Sequence, residues 1–230
     1  MCSKFSIDLD WDSIGQNFGI DESNISRDTL PSRTFLVKPK QSIGLIAQGK
    51  DGTRHLRGAS WSLIPRASAT DNLSYSTHNA RIESAGFRAI YCESLAHMRA
   101  IIPASGYFEP HNRRPFYFHA PDDQVLAIAG LYSWWRQTPS SPWRLTATMM
   151  TCAASGGAAT IHNRMPLLIS ANMRDQWLDP HQDGSSILDA VHKSGERLSQ
   201  RLEFHEVAHI SGDGPHIIKP VSEDSPASLF

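Results

Sequence analysis

Cysteine is scarce in this 230-residue chain: three residues, Cys2, Cys92 and Cys152, lie far apart, and none forms a Cys-x-x-Cys pair. A disulfide framework is excluded and a reducing compartment is expected. An excess of one charge sign is missing too, with 22 basic against 23 acidic side chains and a net charge of −1. Any contact with nucleic acid must therefore be a local patch rather than a polybasic arm. No stretch reaches the roughly 18 apolar residues that a membrane span needs. The opening Met-Cys-Ser-Lys-Phe-Ser-Ile-Asp is polar and acidic where a secretory signal carries its apolar run. A soluble cytoplasmic protein without a membrane partner is expected. Fixed-period repeats, low-complexity blocks and an internal linker are also lacking. A single domain over residues 1–222 with a loose tail at 223–230 is the simplest organisation.

What is present is a succession of short apolar runs separated by Pro, Gly, Asn and Asp. They are Thr34–Val37, Ile43–Ala47, Ser60–Ile64, Ala100–Ile102 with Tyr107–Phe108, Phe116–Phe118, Val125–Ala129, Leu145–Met150 and Leu167–Ile169. Such runs read as strands joined by turns. Helical spacing is confined to Phe87, Ile90, Tyr91 and Leu95, to Met173 and Trp177, and to Ile187, Val191 and Leu198. The polar stretch 8–30 suggests a short helix or loop on the surface. The expected class is α+β, predominantly β, with a barrel-like antiparallel or mixed sheet core and flanking helices.

His205-Glu206-Val207-Ala208-His209 matches the His-Glu-x-x-His pattern of zinc peptidases. On a helix the two imidazoles would share one face and one metal, with Glu206 as general base. On a strand they would stand roughly 13 Å apart, too far for a common ion. From Arg201 to Ile210 the even positions read Leu, Phe, Glu, Ala, Ile and the odd ones Arg, Glu, His, Val, His. This near-alternation favours a strand, and His216 lies one residue beyond the third-ligand spacing. No metal is expected.

Cys2 is more informative. Initiator methionine is normally removed ahead of a small residue, which would leave a 1,2-aminothiol at the N-terminus. An α-amine titrates near about 7.7–8.0 against about 10.4 for lysine, so a usable fraction is neutral at pH 7. Such an amine attacks carbonyls. With the thiol two carbons away it would trap an aldehyde as a Schiff base and then as a five-membered thiazolidine. A different reading makes Cys2 the nucleophile of a thiol (auto)peptidase. Further along, Arg99–Pro110 runs from an apolar strand through Gly106, Tyr107 and Phe108 to Glu109. A carboxylate ending a buried strand acquires a raised pKa suited to acid–base work. Thr160–Pro166 places His162 and Arg164 two residues apart, a pair suited to an anionic substrate. The plainer readings are a solvated strand-end carboxylate and a hydrogen-bonded structural histidine.

Taken in order, five segments resemble the SRAP (SOS response-associated peptidase) family of abasic site processing proteins. Met1-Cys2-Ser3-Lys4-Phe5 is similar to the family's Met-Cys-Gly-Arg-Phe, and Trp61-Ser62-Leu63-Ile64-Pro65 to Trp-Gly-Leu-Ile-Pro. Asn79-Ala80-Arg81-Ile82-Glu83 resembles Asn-Ala-Arg-x-Glu. The segment ending in Gly106-Tyr107-Phe108-Glu109 resembles Ile-Pro-Ala-x-Gly-Phe-Tyr-Glu, and Ile161-His162-Asn163-Arg164-Met165-Pro166 resembles Ile-His-x-Arg-Met-Pro. The resemblance implies a β-rich domain with a basic groove for single-stranded DNA containing abasic sites, acting without metal or organic cofactor, and a monomer is expected. It implies covalent attachment of Cys2 to the lesion's aldehyde. By matched position, Asn79 would hydrogen-bond the opened sugar, and Glu109 would act as acid and base in opening it and closing the ring. His162 would assist the hydroxyl chemistry and reversal, and Arg81 and Arg164 would bind flanking phosphates. Trp61 would stack a base or fill the core, with the core favoured.

Departures spare the four residues assigned to the chemistry and alter the surface expected to pack DNA. Ser3, Lys4, Ser62, Ala67 and Pro110 stand where the family pattern has Gly, Arg, Gly, Trp and Trp. The quartet Cys2, Asn79, Glu109 and His162 is intact, so the reaction is better specified than the DNA structure preferred. A non-catalytic DNA-binding module is the plain rival.

Overall fold

In the computed structural model residues 2–221 are described; the tail expected at 223–230 lies outside the described residues. The strands are β1 (Phe5–Ile7), β2 (Thr34–Val37), β3 (Ser42–Gln48), β4 (Arg54–Trp61), β5 (Asn79–Arg81) and β6 (Arg99–Ala104). They continue with β7 (Gly106–His111), β8 (Arg114–His119), β9 (Leu126–Trp135), β10 (Arg144–Ala153), β11 (Arg164–Pro166) and β12 (Glu203–Glu206). Five of them close a barrel in the order β10-β4-β3-β6-β9 and back to β10. Neighbours are antiparallel except β10 and β4, which run parallel through Thr146↔Ser60 and Ala147↔Trp61. The fold is therefore a mixed, mostly β barrel, and closure removes the sheet edges that invite aggregation.

β10 also carries β5 in parallel, with Asn79 opposite Met149, and β11 antiparallel, with Met165 opposite Cys152. Covered on both sides, β10 buries an unbroken run from Thr146 to Cys152, which explains why an apolar run rather than an alternation marks it in the sequence. A second, antiparallel sheet has the order β12-β8-β7-β1-β2. Barrel and outer sheet are joined at Ser105, the single residue between β6 and β7. Its N–H donates to Ser6 O at 2.9 Å, and its Oγ accepts from Asp8 N at 2.8 Å. Gly106 is required here, because a Cβ would sit 2.4 Å from Phe118 O on β8.

Helices α1 (Trp11–Asn17), α2 (Ile82–Ala85), α3 (Ala89–His97), α4 (Arg174–Leu178) and α5 (Gly184–Ser199) flank the sheets. Asp10 starts α1 by accepting from Ser13 N at 2.9 Å, and Asp183 starts α5 by accepting from Ser185 N at 2.8 Å. Among the described residues no helix is long and apolar enough to cross a membrane.

Several boundaries differ from the sequence expectation. Phe87 is not on a helix face; it is 91% exposed in the turn before α3, whose buried face is Tyr91 and Leu95. The expected Ser60–Ile64 strand ends at Trp61. Leu63 and Ile64 are buried as loop, with Leu63 N donating to Thr77 O and Ile64 N to Thr146 Oγ1. Leu167–Ile169 is a crossing segment rather than a strand. Leu167 N donates to Met150 O on β10 and Ile169 N to Ala127 O on β9. The three-residue strands β1 and β5 carried too little pattern to be read; pairing with longer neighbours makes them strands.

Candidate functional site

β1 lays the N-terminal segment along β7, with Phe5 opposite Tyr107, Ser6 opposite Gly106, and Phe108 N donating to Lys4 O at 3.0 Å. Phe5 is fully buried and meets Trp61 edge-on at 4.8 Å, which pins this strand to the barrel. Continuing the antiparallel register brings Cys2 toward the Glu109 end of β7. From the other side β5 delivers Asn79, whose Nδ2 donates to Cys2 O at 2.6 Å. Tyr91 on α3 fixes that strand by donating to Asn79 O at 3.1 Å. His162, just ahead of β11, places Nε2 3.9 Å from Glu109 Oε2. Residues from four separate segments thus come together around the start of the chain.

Alternation along β7 turns Tyr107 and Glu109 to one side and Phe108 to the other, where it packs with Tyr117, Val207 and Ile217. Glu109 is only 2% exposed, and desolvation pushes its carboxyl up to about 7. Protonated and ionised forms then coexist at neutral pH. Cys2, with residue 1 attached, is 0% exposed; burial first and the charge of Glu109 second push its thiol well above the ordinary range. At neutral pH it is a thiol and not a thiolate. Burial also lowers His162, which keeps the imidazole neutral. Arg164 N donates to His162 Nδ1 at 3.0 Å, so the neutral ring carries its proton on Nε2, the nitrogen facing Glu109. Nδ1 also lies 3.1 Å from Arg164 O, an acceptor for the protonated ring.

Two buried polar atoms at this corner have no hydrogen-bond partner among the described residues: Asn79 Oδ1 and the Tyr107 hydroxyl. Unpaired buried groups are rare, and here they leave hydrogen-bonding capacity beside the site. Burial, and then the charges of Cys2 and Glu109, hold the Tyr107 hydroxyl well above its usual pKa, so it stays a donor. Sequence reasoning passed over Tyr107. The available signal was its order, Tyr-Phe before Glu109 where the related pattern reads Phe-Tyr.

Of the other singled-out residues, Arg81 is exposed at the end of β5. Arg164 is engaged by Glu83 through Nη1 at 2.6 Å and Nη2 at 3.0 Å, and Nη2 also donates to Thr151 O at 2.8 Å. Trp61 is fully buried with Nε1 donating to His78 O at 2.8 Å, so the structure takes the core side of that alternative and leaves no ring face for a base. The His-Glu-x-x-His segment is extended: β12 pairs with β8, His205 opposite Tyr117, and His205 Nε2 bonds Ile218 O at 2.8 Å. Among the described residues no group of three or more His, Cys, Asp and Glu is placed to hold a metal. A cleft of about 490 Å³ is lined by Lys40, Ser62, Tyr75, His78 and Arg144 among others; it reaches His78 but none of Cys2, Asn79, Glu109 and His162 lines it.

A cysteine just ahead of the first strand, an amide gripping its carbonyl, and a buried carboxyl facing an imidazole mark out the candidate site of a mixed β-barrel protein. The profile of the SOS response associated peptidase (SRAP) family matches residues 1–211, and the chain belongs to that family. It is similar to abasic site processing protein YobE of Bacillus subtilis, 29% identical over 197 residues covering 83% of this chain and 88% of that one. YedK of Escherichia coli, also an abasic site processing protein, is 26% identical over 210 residues, covering 87% and 90%. Among solved structures, a protein from Bacteroides thetaiotaomicron superposes with a TM-score of 0.81 at 17% identity, covering 96% of this chain and all of its own. A phage-related protein from Bordetella bronchiseptica gives 0.65 at 18% identity, covering 90% and 94%. These two likenesses concern the fold alone.

Proposed function

We propose that this chain processes abasic sites in single-stranded DNA by attaching itself to the lesion through Cys2 once Met1 has been removed. The observation that carries the reading is the convergence of Asn79, Glu109 and His162 on the segment bearing Cys2. Membership of the SRAP family, with abasic site processing proteins among its relatives, supports the substrate class.

An abasic deoxyribose is mostly a closed hemiacetal, so its ring oxygen needs a proton before an amine can act. Glu109, pushed up to about 7, carries that proton in a useful fraction at neutral pH. The α-amine of Cys2 then adds to the aldehyde carbon, and loss of one water gives the Schiff base. The thiol adds across the C=N bond: an S–C bond forms, Glu109 takes the thiol proton, and the ring nitrogen receives one. No electrons enter or leave, so the balance requires no redox cofactor. Asn79 holds Cys2 O with Nδ2 and keeps Oδ1 for a hydroxyl of the opened sugar. His162 presents Nε2–H toward Glu109 and assists proton transfer in both directions. Arg81 contacts a flanking phosphate, and Arg164 does so by exchanging Glu83 for it. Residues 1–222 act as one domain and as a monomer.

A thiol raised by burial supports this order, amine first. It leaves no preformed thiolate, the form a thiol (auto)peptidase uses, in the chain that still carries residue 1. The test is direct. Met-trimmed protein mixed with uracil-glycosylase-treated single-stranded DNA gives a denaturant-resistant band whose intact mass equals protein plus oligonucleotide less one water. Cys2→Ala gives none; equal adduct from both proteins overturns the proposal.

A further inference from the structure

The turn between β9 and β10 carries a second cluster unrelated to the Cys2 corner. Trp143 is 42% exposed, and the guanidinium carbons of Arg136 and Arg66 lie over its ring at 4.4 and 5.1 Å from the centroid. Arg144 follows, paired with Asp71 at 2.8 Å and lying 5.4 Å from the ring centroid of Trp135. The cluster is held in place. Trp135 Nε1 donates to Ser68 O at 2.8 Å, which ties the loop bearing Arg66 to the barrel, and Arg136 Nη1 donates to Pro139 O at 2.6 Å. In a chain with a net charge of −1 this is a concentrated basic and aromatic patch. Between Arg66, Trp134 and Trp143 lies an open depression of about 370 Å³.

The strand β10, which starts at this turn, leads from the patch toward the reaction site. Arg144, next to Trp143, also lines the cleft that reaches His78, the residue before Asn79. Asn79 stands opposite Met149 on β10, and the strand begins at Arg144. Five residues of strand at about 3.3 Å each separate the two ends by roughly 17 Å. That equals the rise of about five stacked nucleotides at about 3.4 Å each.

We infer that Trp143, Arg136 and Arg66 form an accessory platform for the single DNA strand flanking the lesion, about five nucleotides away from it. The inference rests on the reading of the chain as an abasic-site protein and deepens it. Guanidinium groups take the phosphates, and a base stacks on the indole or on a guanidinium plane laid over it. An exposed indole flanked by cations and opening onto a cleft suits a strand of charged backbone and flat bases better than an apolar protein partner.

The test uses fluorescent oligonucleotides carrying a tetrahydrofuran abasic analogue, which cannot crosslink, read by fluorescence anisotropy. One has two nucleotides on each side, and two others have ten on one side only. The full-length wild type should bind one of the long-flank forms about tenfold tighter than the short form, and Trp143→Ala should lose that gain while binding the short form as before. Trp143→Phe should restore most of it, which separates stacking from a folding defect. Arg66→Gln with Arg136→Gln should flatten the salt dependence of long-flank binding by about 1.4 in log–log slope, two phosphate contacts at about 0.7 each. Unchanged long-flank affinity in Trp143→Ala, or an equal loss on the short form, overturns the platform. Adduct formation by wild type on the short, genuinely abasic oligonucleotide is scored separately, so failure of the covalent reading and failure of the platform give different results.

Discussion

Arg99 and Glu109 are buried ionisable groups near the two ends of one continuous run, β6 through Ser105 into β7, and the fold treats them in opposite ways. Arg99 is 2% exposed and fully matched. Its guanidinium donates to Trp177 O at 2.8 Å, Leu95 O at 3.0 Å and Gln182 O at 2.8 Å, and also to Ala96 O and Asp179 O. One cation thus gathers the last carbonyls of α3 and those around the end of α4, groups that a helix leaves without intrahelical donors. At the other end, Glu109 is desolvated until its proton is in play at neutral pH, and the neighbouring Asn79 Oδ1 and Tyr107 hydroxyl have no partner among the described residues. The lesson is that a buried ion matched at its donors stabilises, whereas a carboxyl whose burial desolvates it keeps a proton available for chemistry at some cost in stability.

The sharpest way to break this contrast is Arg99→Met. It leaves five carbonyls without their donor and is expected to lower unfolding free energy by about 4 kcal/mol in denaturant titration, with Cys2 adduct formation intact in the folded fraction. A loss under about 1 kcal/mol would remove Arg99 from its structural role. Glu109→Gln is the counterpart: adduct formation slows about 100-fold in gel time courses while the fold persists, and a rate within threefold of wild type contradicts the acid–base role.

A pH scan sharpens the same point. The Glu109 carboxyl, ordinarily near 4.5, is held up to about 7 in the folded chain, so between those values the folded state binds more protons than the unfolded one. Its contribution to stability is complete below about 4.5 and is lost as pH rises through about 7, by roughly 1 to 3 kcal/mol. Comparing wild type with Glu109→Gln from pH 4 to pH 8 should show that decline in the wild type alone; parallel curves would count against a raised carboxyl. The smallest effect is expected at Tyr107→Phe. Removing a buried hydroxyl without a partner should raise stability by about 1 kcal/mol, and a loss instead would show that the hydroxyl is hydrogen-bonded in solution.

Much of the barrel and part of the outer sheet were legible because their strands are apolar runs bounded by turn residues. Thr34–Val37 matches β2 in full, and Ile43–Ala47 and Leu145–Met150 fall inside β3 and β10. α5 was visible through Ile187 and Val191, both buried. β1 and β5 were not, since three residues make no pattern, yet they carry the chain past Cys2 and Asn79. The His-Glu-x-x-His match shows the reverse error avoided: the motif is real in the letters, and alternation favoured the strand that pairing with β8 makes. Arg164 could be nominated beside His162, but its grip on Glu83 could not, because that contact joins segments far apart in the chain.

Taken alone, the sequence determined the residue types that the chemistry needs, the order of the segments that carry them, and most strand positions, because these depend on local period and side-chain identity. Tertiary structure decided the rest. Whether Glu109 is an acid or a base, whether Cys2 is a thiol, and whether Trp61 can meet a base all depend on desolvation and on distances between remote segments. Only the closed barrel and the sheet laid against it determine those quantities.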